Sequence, residues 1–388
     1  MATLIKVNGS GQGGYEFPNG MKWEWCTFNG GTPPGQFYNL CYSNGIWMAG
    51  NGSGAGVYRS IDGKTWIFCN GTSGFNIGSL YGANGIWVAS GDEPWYSTDN
   101  GGTWTSCIGA PYFEAFLYNA NGIWVGAGGS GIVYSSDGKQ WLASNIKSGI
   151  VNNIYFANGI FIASMTDGLR WSTDCKTWTS CTVNTTSGTA GKWYAVENHN
   201  GIWVALNAAT GAYYSMDGKM WVQSNYTTGY CYKLAYGSGK WAFTNTSSSS
   251  TKGVWYSTDG KNWVQSDFPE ACTCIHYNNN LWIGATSYSG VYYSYDAKHW
   301  VRCYTTGGHI IQICSANGIS VARLNQSGLA YSPTWEPTIP AGDYMFSAAP
   351  RSPALNPSEL GNVTLTETIN FVSNSETHST MTAKHIHS

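Results

Sequence analysis

The chain has 388 residues, of which only 10% are charged, with 50 Gly, 20 Trp, 26 Tyr and a formal net charge of −2. That near-neutral surface excludes the basic footprint that nucleic acid or an anionic membrane would require. No apolar run approaches the roughly 18 residues needed to cross a bilayer, so an all-β chain dense in tight turns is the class that remains.

Taken in order, the first stretch, Met1–Gly14, has no apolar core of the secretory kind. Synthesis in a reducing cytoplasm is therefore expected. Next, Pro18–Trp23 reads as a worn turn followed by a lone strand, Trp23–Phe28, with no hairpin partner nearby.

The stretch Phe37–Trp66 supplies the template for the later repeats. A strand runs over Phe37–Tyr42, and Asn44-Gly45 makes a tight turn because both residues tolerate positive φ. A second strand covers Ile46–Ala49. After a Gly-rich loop, Val57–Ser60 forms a third strand, Asp62-Gly63 a second turn, and Trp66–Cys69 a fourth strand. Variants of Asn-Gly-Ile-Trp-Val-Ala occur eight times, and variants of Ser-x-Asp-Gly-Lys-x-Trp place Asp at 62, 99, 137, 174, 217, 259 and 296. Those Asp residues are spaced 37, 38, 37, 43, 42 and 37 apart, and a fixed period near forty with four short strands per unit marks a β-propeller.

In the second motif the Asp side chain accepts backbone N–H groups beyond it, Gly supplies the left-handed backbone, and Ser ties the preceding strand to the turn. The Trp packs over the turn and against the next blade, where truncation costs roughly 3–5 kcal/mol. Cys175 and Ala297 stand in the Gly position, and each should strain its turn by ~1 kcal/mol. Five of the 11 Cys fall three residues after a Trp, where Ser144, Ser224 and Ser266 stand in other repeats. A site that accepts either residue is a small strand position rather than half of a disulfide, so reduced thiols are expected.

The eighth unit, His309–Trp335, has three strands and a broken turn motif. Joining it to the lone N-terminal strand completes a blade and closes the ring. The expected architecture is eight four-stranded antiparallel blades over residues 1–335, with seven as the alternative. Beyond them lie a Pro-rich arm over 336–357 and a small β-rich tail over 358–388. Val363, Leu365, Ile369 and Phe371 alternate as a strand does, and so short a tail needs a partner, further copies of the chain or the propeller itself to bury it.

The turn motif resembles the Asp-box, or BNR, repeat of sialidases and many other β-propellers. Ser97–Trp104 has that family's usual spacing, and the other six copies are one residue shorter. For a sialidase the resemblance implies three Arg clamping a carboxylate, a Tyr–Glu nucleophile pair and an acid/base Asp. Only Arg59, Arg170, Arg302, Arg323 and Arg351 are present, and none precedes the first complete motif. No catalytic residue is assigned and no cofactor is implied; a glycoside hydrolase stays as an alternative.

Function is expected on the rim opposite the uniform turns, where loops vary. The candidate ligand contacts are Phe75, Trp95, Tyr112, Phe113, Tyr226, Tyr230 and Tyr288, since sugars stack on aromatic rings; the alternative is that these rings fill gaps between blades. His385-Ile386-His387 resembles the His-x-His metal sites at trimeric phage fibre tips, against the alternative of a plain polar terminus. The resemblance to propellers of phage tails and baseplates implies a virion-associated adhesin that binds host surface glycan. Residues 336–388 would join it to other virion proteins or to copies of itself, as in a trimer. A decoration subunit or a photosystem-assembly-factor-like propeller is the third reading.

Overall fold

The computed structural model describes residues 3–6, 24–29, 37–109, 115–118, 122–128, 131–184, 191–247, 251–303, 310–332, 343–346, 366–371 and 379–384, apart from 53, 92, 279, 287–289, 318 and 325–327. The chain divides into two compact units, Lys22–Trp335 and a unit made of Met1–Met21 with Glu336–Ser388.

Within Lys22–Trp335 the described strands form eight four-stranded antiparallel blades, an eight-bladed β-propeller. Blade 1 shows the repeating path: Phe37–Ser43, Ile46–Asn51, Val57–Ser60 and Thr65–Phe68, each strand pairing with the one before. Its hairpin turn is left-handed at both corners, with Asn44 at φ 51° and Gly45 at φ 78°, and Asn84, Asn158 and Asn200 repeat this. Short polar side chains and Gly tolerate that backbone, which explains the recurrent Asn-Gly. The first strands of successive blades touch in an unbroken circuit that ends with Ile310–Ala316 against Phe37–Ser43.

The ring closes as the lone strand suggested. Blade 8 takes three strands from Ile310–Ala316, Ile319–Leu324 and Gly328–Ser332, and its outer strand is Glu24–Trp25 from the other end of the sequence. Glu24 pairs with Tyr331 and Trp25 with Ala330, and the Tyr331 hydroxyl donates to Glu24 at 2.8 Å. The chain then crosses to blade 1, where Thr27–Asn29 runs parallel to the outer strand and pairs with Thr65, Trp66 and Ile67. Closure removes the free sheet edges that an open arc would present.

Hydrophobic burial lies between blades rather than within one central core. Ile160, Ile162 and Leu169 of blade 4 pack against Trp193, Trp203 and Trp221 of blade 5, and Val204 and Leu206 of blade 5 pack against Leu234, Trp241 and Trp263 of blade 6. Each blade is thus hydrophobic on both faces, and its side chains serve two seams. Ten of the eleven cysteines, all but Cys303, are free thiols. Burial pushes the thiols of Cys26, Cys69, Cys107 and Cys181 up to about 12, so they act as small apolar side chains.

The other unit corrects the expected boundaries. Thr3–Lys6 pairs antiparallel with Asp343–Phe346, so residues 1–21 group with the C-terminal extension and the propeller starts at Lys22. A backbone ladder between the two ends of the chain is invisible to local pattern. The expected Pro-rich arm contains one of these strands. Thr366–Phe371 pairs with Ser379–Lys384 as a hairpin that includes Ile369 and Phe371; Val363, Leu365, His385 and His387 lie outside the described residues.

Candidate functional site

The uniform rim is built from the seven Ser–Asp turns. In each, the Ser hydroxyl donates to an Asp carboxylate oxygen at 2.8–3.1 Å, at Asp62, Asp99, Asp137, Asp174, Asp217, Asp259 and Asp296. In the short turns the same oxygen accepts the two backbone N–H groups that follow the corner, as Lys219 and Met220 donate to Asp217 at 2.8 and 2.9 Å. The Gly218 N–H donates to Ser215 Oγ at 2.9 Å. In the longer turn Thr103 supplies both its N–H and its hydroxyl to Asp99 at 2.8 Å. The Thr103 N–H leads in pulling the Asp99 carboxyl down to about 2. At Asp259 burial opposes the charge, but the donors of Asn262, Lys261 and Ser257 outweigh it and again leave about 2. Cys175 and Ala297 adopt φ 60° and 62°, the left-handed corner otherwise given to Gly.

Six of these turns also hold the preceding blade. The second residue after each outer strand donates its N–H to the carbonyl of the turn lysine in the next blade, at 2.9–3.1 Å from Thr27, Ile108, Asn145, Thr182, Asn225 and Asp267. The indoles that follow these turns face inward; Trp221 Nε1 donates to Gly218 O at 2.9 Å. Trp87, just past an Asn-Gly turn, donates to the Asn100 side chain in the Ser–Asp turn of its own blade, so both kinds of turn share one rim. The Ser and Asp side chains of these turns are committed to the frame.

The opposite rim carries the variable loops. They bond to one another across blade seams: Ile77 N–H to Asn51 O at 3.0 Å, Gly74 N–H to Gly54 O at 2.7 Å, and Tyr230 N–H to Ala208 O at 2.8 Å. On this rim Phe75 and Trp95 come together, stacked with ring centroids 4.2 Å apart and planes 24° from parallel. With Gly74, Asn76 and Glu93 they line an open cleft of about 180 Å³. Both rings are half-buried, and Asn76 and Glu93 are exposed beside them. An apolar platform flanked by an amide and a carboxylate can hold a flat C–H face and the hydroxyls around it.

The other aromatic candidates separate. Tyr226 is corrected: at 4% exposure it is core, packed edge-on against Phe243 and Trp255, with its hydroxyl bonded to Asn245. It fills a seam, because the connection from blade 5 to blade 6 folds inward there. Tyr230 stays on the surface at 64% exposure, held at φ 69°, a left-handed backbone that is strained for a side chain of that size. Tyr112, Phe113 and Tyr288 lie outside the described residues.

Arg59 and Arg170 sit on third strands and have local partners, the Asn100 carbonyl and Asp167. Arg302 lies on the outer strand of blade 7, opposite Tyr292. Sequence reading missed the groups on the first strands. Glu197 in blade 5 is half-buried and bonded to His199 at 3.2 Å; burial raises its carboxyl, and His199 opposes this in part. His276, at the equivalent strand position in blade 7, has a buried Nε2 with no hydrogen-bond partner among the described residues. Burial lowers its pKa to about 4. The available signal was the first-strand position itself, four residues before the hairpin Gly or its equivalent.

No family model matches the chain, and no curated protein sequence matches it. Its likenesses are to solved propellers. The computationally designed Ika8 protein superposes with TM-score 0.63 at 14% identity, over 80% of this chain and 99% of that one. YCF48 bound to D1 peptide gives 0.53 at 12%, over 85% and 99%. BamB from Moraxella catarrhalis gives 0.53 at 10%, over 75% and 94%. At such identities the likeness shows the propeller fold alone.

Proposed function

We propose that the chain is a non-catalytic receptor-binding propeller of a virion that recognises host surface glycan through its variable rim. The observation that carries this reading is the Phe75–Trp95 platform with Asn76 and Glu93 at its edge. Stacked aromatics beside exposed polar groups suit a saccharide, and a rim held by a hydrogen-bonded frame keeps them pre-organised. The extension formed by the two chain ends then attaches the propeller to other virion proteins or to further copies of itself. A glycan array probed with the full chain and with Trp95→Ala tests the reading. Binding to a defined glycan set that Trp95→Ala weakens severalfold or more supports it. An array that stays blank, or one that Trp95→Ala leaves unchanged, refutes it.

A second reading, capture of a protein partner, is favoured by the likeness to a propeller solved with a bound peptide. It predicts that pull-down of one partner survives Trp95→Ala. The hydrolase alternative has Glu197, half-buried beside His199, as its candidate carboxylate, and Glu197→Gln would abolish turnover of a fluorogenic glycoside.

A further inference from the structure

Near the variable-rim end of the first strands a β-bulge recurs in six blades, with register shifts after Phe37, Val151, Trp193, Cys231, Cys272 and Ile310. A bulge re-aims the side chains beside it. In blade 6 the bulged residues are Tyr232 and Lys233, and the Lys233 N–H is held by Thr244 Oγ1 at 3.0 Å. Lys233 stands one residue beyond the Leu234–Phe243 pair. In blade 8 Arg323 lies opposite Gln312, one residue beyond the equivalent Ile313–Ala322 pair. The two cations therefore occupy the same level of the ring, with Cys274 of blade 7 between them.

Arg323 reaches across the closing seam, and its Nη1 donates to Phe37 O at 2.8 Å. Its Nε is buried without a hydrogen-bond partner among the described residues. Neither cation joins an ion pair among the described residues. Lys233 is exposed and lies over the Tyr232 ring at 5.1 Å. That ring meets Tyr194 of blade 5 edge-on at 5.0 Å. Burial lowers the Arg323 guanidinium. Glu197, the first-strand carboxylate, lies two pairs farther along its strand and is engaged by His199. A partly buried guanidinium with an unused buried donor costs free energy unless an anion completes it.

We propose that this level of the propeller, between Lys233 and Arg323, is a seat for a carboxylate group of the ligand. The seat follows from the cation pair itself; only its natural carrier, an acidic saccharide, rests on the glycan reading. Lys233 provides the exposed ammonium, Arg323 the fixed guanidinium, and Tyr232 the apolar wall under the lysine.

Calorimetric titration with citrate, at constant ionic strength, tests the seat without any saccharide. A galacturonic acid trisaccharide and its methyl ester test the carrier. The wild type binds citrate, and Lys233→Met weakens it about tenfold or more, as loss of a charge-assisted contact requires, while Lys233→Arg restores it. The trisaccharide binds in preference to its ester, and Lys233→Met removes that preference. Citrate bound equally by wild type and Lys233→Met, or not bound by the wild type, overturns the seat. Citrate bound through Lys233 while neither trisaccharide binds upholds the seat and removes the saccharide carrier. An unchanged melting temperature of Lys233→Met shows that the loss is not one of folding.

Discussion

Asn225, in the connection leaving blade 5, grips Trp263 of blade 6 through both atoms of its amide. Its Oδ1 accepts the Trp263 N–H at 2.7 Å, and its Nδ2 donates to the Trp263 carbonyl at 3.3 Å. Asn145 holds Trp178 in the same way, at 2.8 and 3.0 Å. Asp267, which has no donor, accepts the Trp300 N–H at 2.8 Å and meets His299 with its other oxygen. One side chain thus does for two blades what a strand pairing does elsewhere, as where Thr182–Asn184 runs parallel to Met220–Val222.

Replacing Asn225 by Ala leaves the Trp263 N–H without its acceptor and is expected to cost about 1–3 kcal/mol. Urea unfolding checks this. Asn145→Ala should cost a similar amount. The double variant should be additive, because the two clamps share no partner.

Glycines in the two turns of one blade should respond differently to Ala. Gly201 has φ 78° with nothing near the position of a Cβ, whereas Gly218 has φ 73° and a Cβ there would meet Ile160 Cδ1 at 2.7 Å. Gly201→Ala should cost about 1 kcal/mol, from backbone strain alone. Gly218→Ala should add roughly 1–3 kcal/mol of overpacking at the seam with blade 4. Equal unfolding midpoints for the two variants would contradict this placement of the blades.

His276 predicts acid sensitivity. Its pKa is lowered from 6.5 to about 4 by burial, so between those values the unfolded chain takes up a proton that the folded chain refuses. Stability is therefore greatest above pH 6.5 and falls as the pH drops toward 4, by up to about 3 kcal/mol from this group. The carboxyls of the Ser–Asp turns, held below their usual range, resist protonation until lower pH. Urea midpoints at pH 7, 5 and 4 should converge in His276→Gln and diverge in the wild type.

On the variable rim Trp95→Ala should weaken saccharide binding by about 0.5–1.5 kcal/mol or more with little change in stability. Tyr226→Phe, which loses only the hydroxyl bonded to Asn245 and Gly229, should lower stability by about 1 kcal/mol and leave binding unchanged. Affinity and melting temperature measured on the same preparations separate the two residues.

The frame was legible because it is local. Ser215, Asp217 and Gly218 close a turn whose donors and acceptors lie within five residues, so the motif states its own hydrogen bonds and its recurrence counts the blades. The closing strand could be read because a fourth strand was missing at one end and spare at the other. The aromatic candidates were not separable in this way. Phe75 and Tyr226 occupy comparable loops and look alike in sequence, yet one stacks in a cleft with Trp95 and the other plugs a seam.

The sequence by itself determined the turns and the period, since each depends on contacts a few residues apart, and the eight-fold ring, since that follows from counting the repeats and from a strand spare at one end and missing at the other. Only the tertiary structure decided that Lys233 and Arg323 share a level of the ring, that Tyr226 is core, and that the first 21 residues join the C-terminal extension. The physical reason is register: a single bulged residue re-aims a side chain, and which groups then meet depends on strands far apart along the chain.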